Sequence, residues 1–119
     1  MKNYNSKYKN SLVDRCFEFS LSVILLCNSS PNKRSNWIII DQLIRSSTSI
    51  GANLIEARAS SKKDFKNKIF ICKKESKETK YWLRMLARAA EELKEDCKIL
   101  WQEAQEFTLI FSKIAVNTK

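Results

Sequence analysis

The chain has 119 residues with one glycine, one proline, no histidine and a net charge of +9 at pH 7. This length suits a single domain with one core, and the scarcity of turn-forming residues excludes a β-rich fold built on many tight turns. The charge is uneven, because residues 62–90 carry ten basic and three acidic side chains. Nucleic acid or another polyanion is therefore the leading partner class, and a basic surface that only keeps the protein soluble is the alternative.

The residues that usually build metal and catalytic sites are absent or scattered. The four cysteines form no CxxC pair, and without histidine neither a mixed zinc site nor a di-iron bundle site can be completed. No nucleophile, base and glycine-rich loop converge, so we predict no metal, no cofactor and no enzymatic activity. No apolar signal-peptide segment is visible, and the apolar residues 19–27 are too few to span a bilayer. We expect a cytoplasmic protein with no membrane partner.

The N-terminal third of the chain predicts an arm followed by one helix. Residues 1–10 are polar, and we predict a flexible N-terminal arm there; residues 11–119 are predicted to form one four-helix bundle domain. Apolar residues spaced four and three apart define the first helix. They are Leu12, Cys16, Phe19, Val23 and Leu26. The loop over residues 28–33 contains the single proline and ends this helix.

The second helix is expected to begin at a cap on Ser35 or Asn36. Gly51 lies in its middle, where it costs roughly 0.5–1 kcal/mol relative to alanine. We therefore predict that a neighbouring helix approaches closely near Ser47 and Gly51. A short connection over residues 59–63 follows.

The third helix, predicted over residues 64–93, presents three surfaces. Its core seam recurs at spacings of four and three. The seam consists of Phe65, Ile69, Cys72, Ser76, Thr79, Leu83, Leu86, Ala90 and Leu93. At 100° per residue, one flank is basic and contains Lys66, Lys73, Lys77, Lys80, Arg84 and Arg88. The opposite flank is acidic and apolar and contains Asp64, Ile71, Glu75, Glu78, Trp82 and Ala89.

A fourth seam from Cys97 to Ile114 completes the pattern. Short connections between four heptad-patterned helices predict an all-α fold, an antiparallel up-down-up-down four-helix bundle. The boundary between the third and fourth helices carries neither glycine nor proline, so the pattern marks it only weakly.

Three segments of the chain resemble a known family. They are the pattern Gln-Leu-x-Arg-Ser-x-x-Ser-Ile-x-x-Asn-x-x-Glu over residues 42–56, the Lys63-Asp64-Phe65 sequence and the run over residues 73–83. Together they resemble the bacterial four-helix-bundle proteins encoded within intervening sequences of large-subunit rRNA genes. The accessory variability proteins of diversity-generating retroelements form a related branch. Many members follow the glutamate of helix two with glycine, whereas Ala57 stands here.

The resemblance implies a bundle that assembles into a barrel-like homopentamer with a basic surface, and nucleic-acid binding in the retroelement branch. The basic flank of the third helix is the predicted nucleic-acid-binding surface: its six side chains, Lys66 to Arg88, span roughly 33 Å at 1.5 Å per residue and could meet several phosphates. Tyr81 is expected to point elsewhere, so little base stacking is predicted. If subunit pairing consumes this flank, the free charge would lie on Lys2, Lys7, Lys9, Lys33 and Arg34 instead.

A second set of residues is predicted to form the subunit interface. On helix two these are Arg45, Ser49, Asn53 and Glu56, and on helix three they are Glu75, Glu78 and Trp82. The helix-two residues can bond along their own stripe, to a neighbouring chain or to water. Trp82 is expected to anchor a contact that closes into a ring, and core packing against helix four is its alternative.

Two functions from different classes follow. The first is a non-enzymatic, basic, ring-forming accessory protein that binds RNA or DNA mainly through backbone phosphates. The second is a protein–protein scaffold that recruits an acidic partner, such as a reverse transcriptase or a ribosome-associated protein.

Overall fold

The computed structural model describes residues 11–30 and 33–118, and within them every regular element is helical. Four α-helices follow in chain order, with a single 3₁₀ turn before the last. They are α1 (Leu12–Asn28), α2 (Lys33–Arg58), α3 (Lys62–Ala89) and α4 (Lys94–Asn117), and the 3₁₀ turn spans Glu91–Leu93. The predicted all-α four-helix bundle is confirmed. The predicted N-terminal arm, residues 1–10, lies outside the described residues.

Local capping explains where two of the helices begin. Ser11 and Ser61 have extended backbones, and the side chain of each accepts a hydrogen bond from the N–H three residues later, on Asp14 and Asp64. Such caps satisfy N–H groups that the first helical turn leaves unpaired. The expected cap of the second helix is wrong: α2 begins at Lys33, so Ser35 and Asn36 lie inside its first turn.

The third helix ends earlier than the seam suggested. It stops at Ala89, because Ala90 leaves the helical conformation at φ −132° and ψ 85°. The 3₁₀ turn then returns the chain toward the bundle, so Ala90 and Leu93 are still buried although neither belongs to α3. The apolar pattern therefore located the core residues correctly and the helix boundary incorrectly.

Each helix contacts two neighbours, which makes a closed four-cornered bundle of 45 × 30 × 19 Å. Phe19 on α1 packs edge-on against Phe107 on α4, with ring centroids 5.3 Å apart. Between α1 and α2, a Cβ on Gly51 would lie 3.1 Å from Cys16 Cβ. The predicted close approach at Gly51 is confirmed, and it is α1 that approaches.

The contact between α2 and α3 contains a small polar layer inside the core. Thr79 Oγ1 donates to Ser46 Oγ at 2.9 Å, and Ser46 Oγ in turn bonds the Leu43 carbonyl. Ser76 bonds the Cys72 carbonyl at 2.8 Å. These hydroxyls are buried, and each forms a hydrogen bond. The helices can therefore approach closely without leaving a buried polar group unpaired.

Candidate nucleic-acid interface

The flank of α3 that faces α2 is electrostatically paired. Arg45 on α2 places Nη1 3.3 Å from Glu75 Oε1, and its Nη2 donates to Glu78 Oε2. Trp82 Nε1 donates to the same Glu78 oxygen at 3.0 Å. The Glu75 side chain is 8% exposed and the Arg45 side chain is 45% exposed. These four predicted interface residues therefore form one cluster within the chain, buried on its inner side and open on its outer side.

Hydrogen bonds within this cluster favour the ionised forms of Glu78 and Arg45. Burial opposes ionisation of Glu78, but hydrogen bonds from Trp82 and Arg45 outweigh it and lower the pKa of the carboxyl below its ordinary value. The hydrogen bond to Glu78 raises the pKa of Arg45, with the charge of Glu75 adding to the effect. The cluster is therefore an ion network whose donors and acceptors pair within the chain.

The rest of the helix-two stripe is also bonded within the chain. Glu56 Oε1 accepts from Lys68 Nζ of α3 at 2.7 Å, and this hydrogen bond raises the pKa of Lys68. Asn53 Nδ2 donates to both the carbonyl and the hydroxyl of Ser49 at 2.8 Å. Of the alternatives for the helix-two residues, hydrogen bonding along their own helix is present, between Asn53 and Ser49. A contact to a neighbouring chain stays a prediction.

The opposite flank of α3 has no such pairs. None of its six predicted cations forms an ion pair with any residue that the structure describes. They are Lys66, Lys73, Lys77, Lys80, Arg84 and Arg88. Two acids of α4, Glu103 and Glu106, instead hold Arg15 on α1 at 2.9 and 3.0 Å. The basic flank is therefore left uncompensated by the neighbouring helix.

Lys80 differs from the other cations of this flank. Its Nζ donates to Gln105 Oε1 of α4 at 2.5 Å and lies 5.3 Å from the ring centroid of Trp101. Burial lowers the pKa of Lys80, and the charge of Lys77 lowers it further. This side chain fixes the α3–α4 contact, and its neighbours carry the accessible charge.

A groove forms where the end of α3 meets the start of α4. It brings Arg84 and Arg88 together with Lys94 and Lys98 of α4. The sequence analysis did not predict the two lysines as part of the basic surface, because the last quarter of the chain has a net negative charge. They lie beside α3 only because α4 packs antiparallel to it. Tyr81 lines the same groove, so the prediction that it points away from the basic flank is wrong.

The cysteines add no reactive site. All four are free and buried, and burial raises the pKa of Cys16 and Cys72 to about 12 and of Cys27 and Cys97 to about 11. Each is therefore a neutral thiol near pH 7. Across residues 11–30 and 33–118, no cluster of three or more potential metal ligands occurs. None of the helices in these segments is long and apolar enough to cross a membrane.

Comparisons with known proteins agree with the resemblance. The sequence pattern of the 23S rRNA-intervening sequence protein family matches residues 8–113. A crystal structure of a protein with unknown function from the S23 ribosomal protein family of Bacteroides thetaiotaomicron VPI-5482 superposes with a TM-score of 0.80. The two chains are 32% identical, over 88% of this chain and 98% of the other. No curated protein matches. This chain belongs to the 23S rRNA-intervening sequence protein family.

Proposed function

We propose that the protein is a non-enzymatic cytoplasmic accessory protein that forms a homopentameric ring and binds RNA or DNA through backbone phosphates. The observation that carries the proposal is the contrast between the two flanks of α3. On the α2-facing side Glu75 and Glu78 pair with Arg45, whereas the six cations of the opposite flank meet no carboxylate among the described residues. A linear array of free cations suits a polyanion better than a compact ligand.

The spacing of these cations supports phosphate binding. From Lys66 to Arg88 the array extends roughly 33 Å along one helix, at 1.5 Å per residue. A nucleic-acid backbone presents negative charge continuously over that distance, and each neutralised phosphate releases counterions. Contacts of this kind position a backbone and carry little sequence information, so binding should be nearly sequence-independent. The alternative charges on Lys2, Lys7 and Lys9 lie outside the described residues.

Apolar side chains on the outer surface support self-association. Phe17 and Leu25 on α1 and Trp37 and Ile55 on α2 are 57–64% exposed. Where such side chains form one continuous patch, the patch marks a surface that contacts another protein, and we propose that they do so in the ring. The outer edge of the Arg45 cluster offers polar groups to the same kind of contact. A ring would multiply the +9 of each chain and strengthen binding to a polyanion.

The test is a charge reversal with a matched control. Binding of labelled RNA and DNA strands would be followed by fluorescence anisotropy between ~50 and ~200 mM salt. The double variant K77E/R84E should bind at least ~10-fold more weakly, because it removes two phosphate contacts and adds repulsion. The control R58E/K113E makes the same change in net charge at exposed sites away from this flank and should retain affinity.

Two results would count against the proposal. One is the absence of binding to either nucleic acid at ~50 mM salt, where the electrostatic contribution is strongest. The other is tight binding that does not change with salt. Either result would favour the protein scaffold that recruits an acidic partner.

A further inference from the structure

The groove between α3 and α4 differs from the rest of the basic flank. It encloses about 470 Å³, within the range of small-ligand sites. Its lining includes the buried side chains Leu83 and Cys97 together with the rings of Tyr81 and Trp101. A run of surface lysines binds phosphate alone, whereas this groove adds apolar and aromatic surface.

The edge of the groove is cationic. Arg84 and Arg88 from α3 and Lys94 and Lys98 from α4 line it, and none of them forms an ion pair with a described residue. Four uncompensated charges around an apolar centre are complementary to a ligand that joins a planar ring to an anion. Arginine also stacks on aromatic rings while bonding phosphate, which lysine does not do.

Trp101 is held in place and has an unused hydrogen-bond donor. The ammonium of Lys80 lies 5.3 Å from its ring centroid. Its indole N–H is buried and finds no acceptor within the part of the chain that the structure describes. A buried donor without a partner is costly, and a carbonyl oxygen on a ligand in this groove would supply the acceptor after a small movement of the ring.

We propose that this groove binds one unstacked nucleotide of a single-stranded RNA or DNA. The base contacts Tyr81 and Trp101, and the adjoining phosphates contact the cationic edge. A base in a duplex is already stacked and paired, so it cannot enter without an opening cost. The protein therefore prefers single strands without reading their sequence, because every base has a stacking face. This inference rests on the proposed nucleic-acid binding and adds a site and a strand preference to it.

The test compares three probes of about 20 nucleotides: a single strand, a duplex and a strand with abasic positions that retain all phosphates. Tyr81→Ala should weaken single-strand binding about 5- to 150-fold, the equivalent of ~1–3 kcal/mol for one stacked base, and leave duplex binding unchanged. The abasic strand should bind like the duplex. Ile38→Ala, which removes an exposed apolar side chain on α2 away from the basic flank, is the control and should bind like the unmodified protein.

The outcomes separate this site from the broader proposal. Equal binding of strand and duplex, with Tyr81→Ala unchanged, overturns the groove site while nucleic-acid binding stands. No binding of any probe overturns both. A competition experiment gives a further test. If polyglutamate displaces the bound single strand as effectively as free oligonucleotide does, the groove site is overturned, because charge alone then accounts for binding and no base is needed. Trp101→Phe keeps a ring but removes the N–H, and an unchanged affinity for every probe would likewise contradict the role given to Trp101.

Discussion

The two flanks of α3 lie on one helix and differ in what the adjacent helix supplies. Toward α2, Arg45 meets Glu75 and Glu78, so the acids are paired. Toward α4, Lys80 donates to the neutral Gln105, and no cation of the basic flank forms an ion pair with a described residue. The charge that a bundle helix shows to solvent is therefore set by its neighbour's composition as much as by its own. In this protein the difference separates a flank whose acids Glu75 and Glu78 pair within the fold from a flank whose cations form no ion pair with a described residue.

The largest expected effect concerns assembly on the paired flank. Trp82→Glu removes an aromatic anchor and adds a carboxylate beside Glu78, so the proposed ring should dissociate to monomers. Lys77→Glu on the other flank should leave the proposed ring intact. Light scattering coupled to size separation measures both, and circular dichroism confirms that each variant remains helical. A monomeric unmodified protein would contradict the proposed ring, and a ring broken by Lys77→Glu would show that the interface lies on the other flank.

The next effect concerns folding stability. Arg45→Ala leaves the buried Glu75 without its cation, and we expect a loss of ~1–3 kcal/mol in the free energy of unfolding. Lys77→Ala removes a charge with no ion-pair partner among the described residues and should change that free energy by less than ~0.5 kcal/mol. Urea unfolding of the two variants gives the comparison. Equal losses would mean that the pairing contributes nothing specific to the α2-facing flank.

The smallest effect is a dependence of stability on pH. Because the folded state lowers the pKa of Glu78, its ion network stabilises the fold above the ordinary carboxyl pKa. That contribution is lost as the pH falls through the lowered folded value. Glu78→Gln should therefore flatten the acid limb of stability against pH by up to ~1 kcal/mol. Glu92→Gln, the same change at an exposed site, should leave the acid limb unchanged. An equal flattening in that variant would contradict the assignment of this pH dependence to Glu78.

Much of the fold could be predicted because heptad spacing reports burial directly. The seam of α3 placed Ile69, Leu83 and Leu86 in the core, and all three are buried. Spacing does not report where a helix stops, since Ala90 and Leu93 remain buried through a 3₁₀ turn. Without glycine or proline at that point, nothing local in the sequence marks the end.

The candidate site could be predicted only in part, because its properties depend on helix pairing. The angular position of Glu75 on the helix predicted that it lies on the acidic flank. Its side chain is nevertheless buried, because it pairs with Arg45 of α2. Lys80 lies on the basic flank by its angular position, but it packs against α4, where it contacts Gln105 and Trp101. The register between two helices determines which residue lies opposite a given side chain. The geometry of a single helix cannot predict that register.

The salt dependence of binding tests the central claim most directly. The logarithm of the association constant should fall linearly with the logarithm of salt concentration, with a slope that counts phosphate contacts. For K77Q/R84Q the slope should be smaller by about 1.4–1.8, because each lost phosphate contact contributes about 0.7 on a single strand and about 0.9 on a duplex. For R58Q/K113Q it should match the unmodified protein. An unchanged slope in K77Q/R84Q, or the same decrease in R58Q/K113Q, would show that the unpaired flank of α3 is not the surface that meets the phosphates.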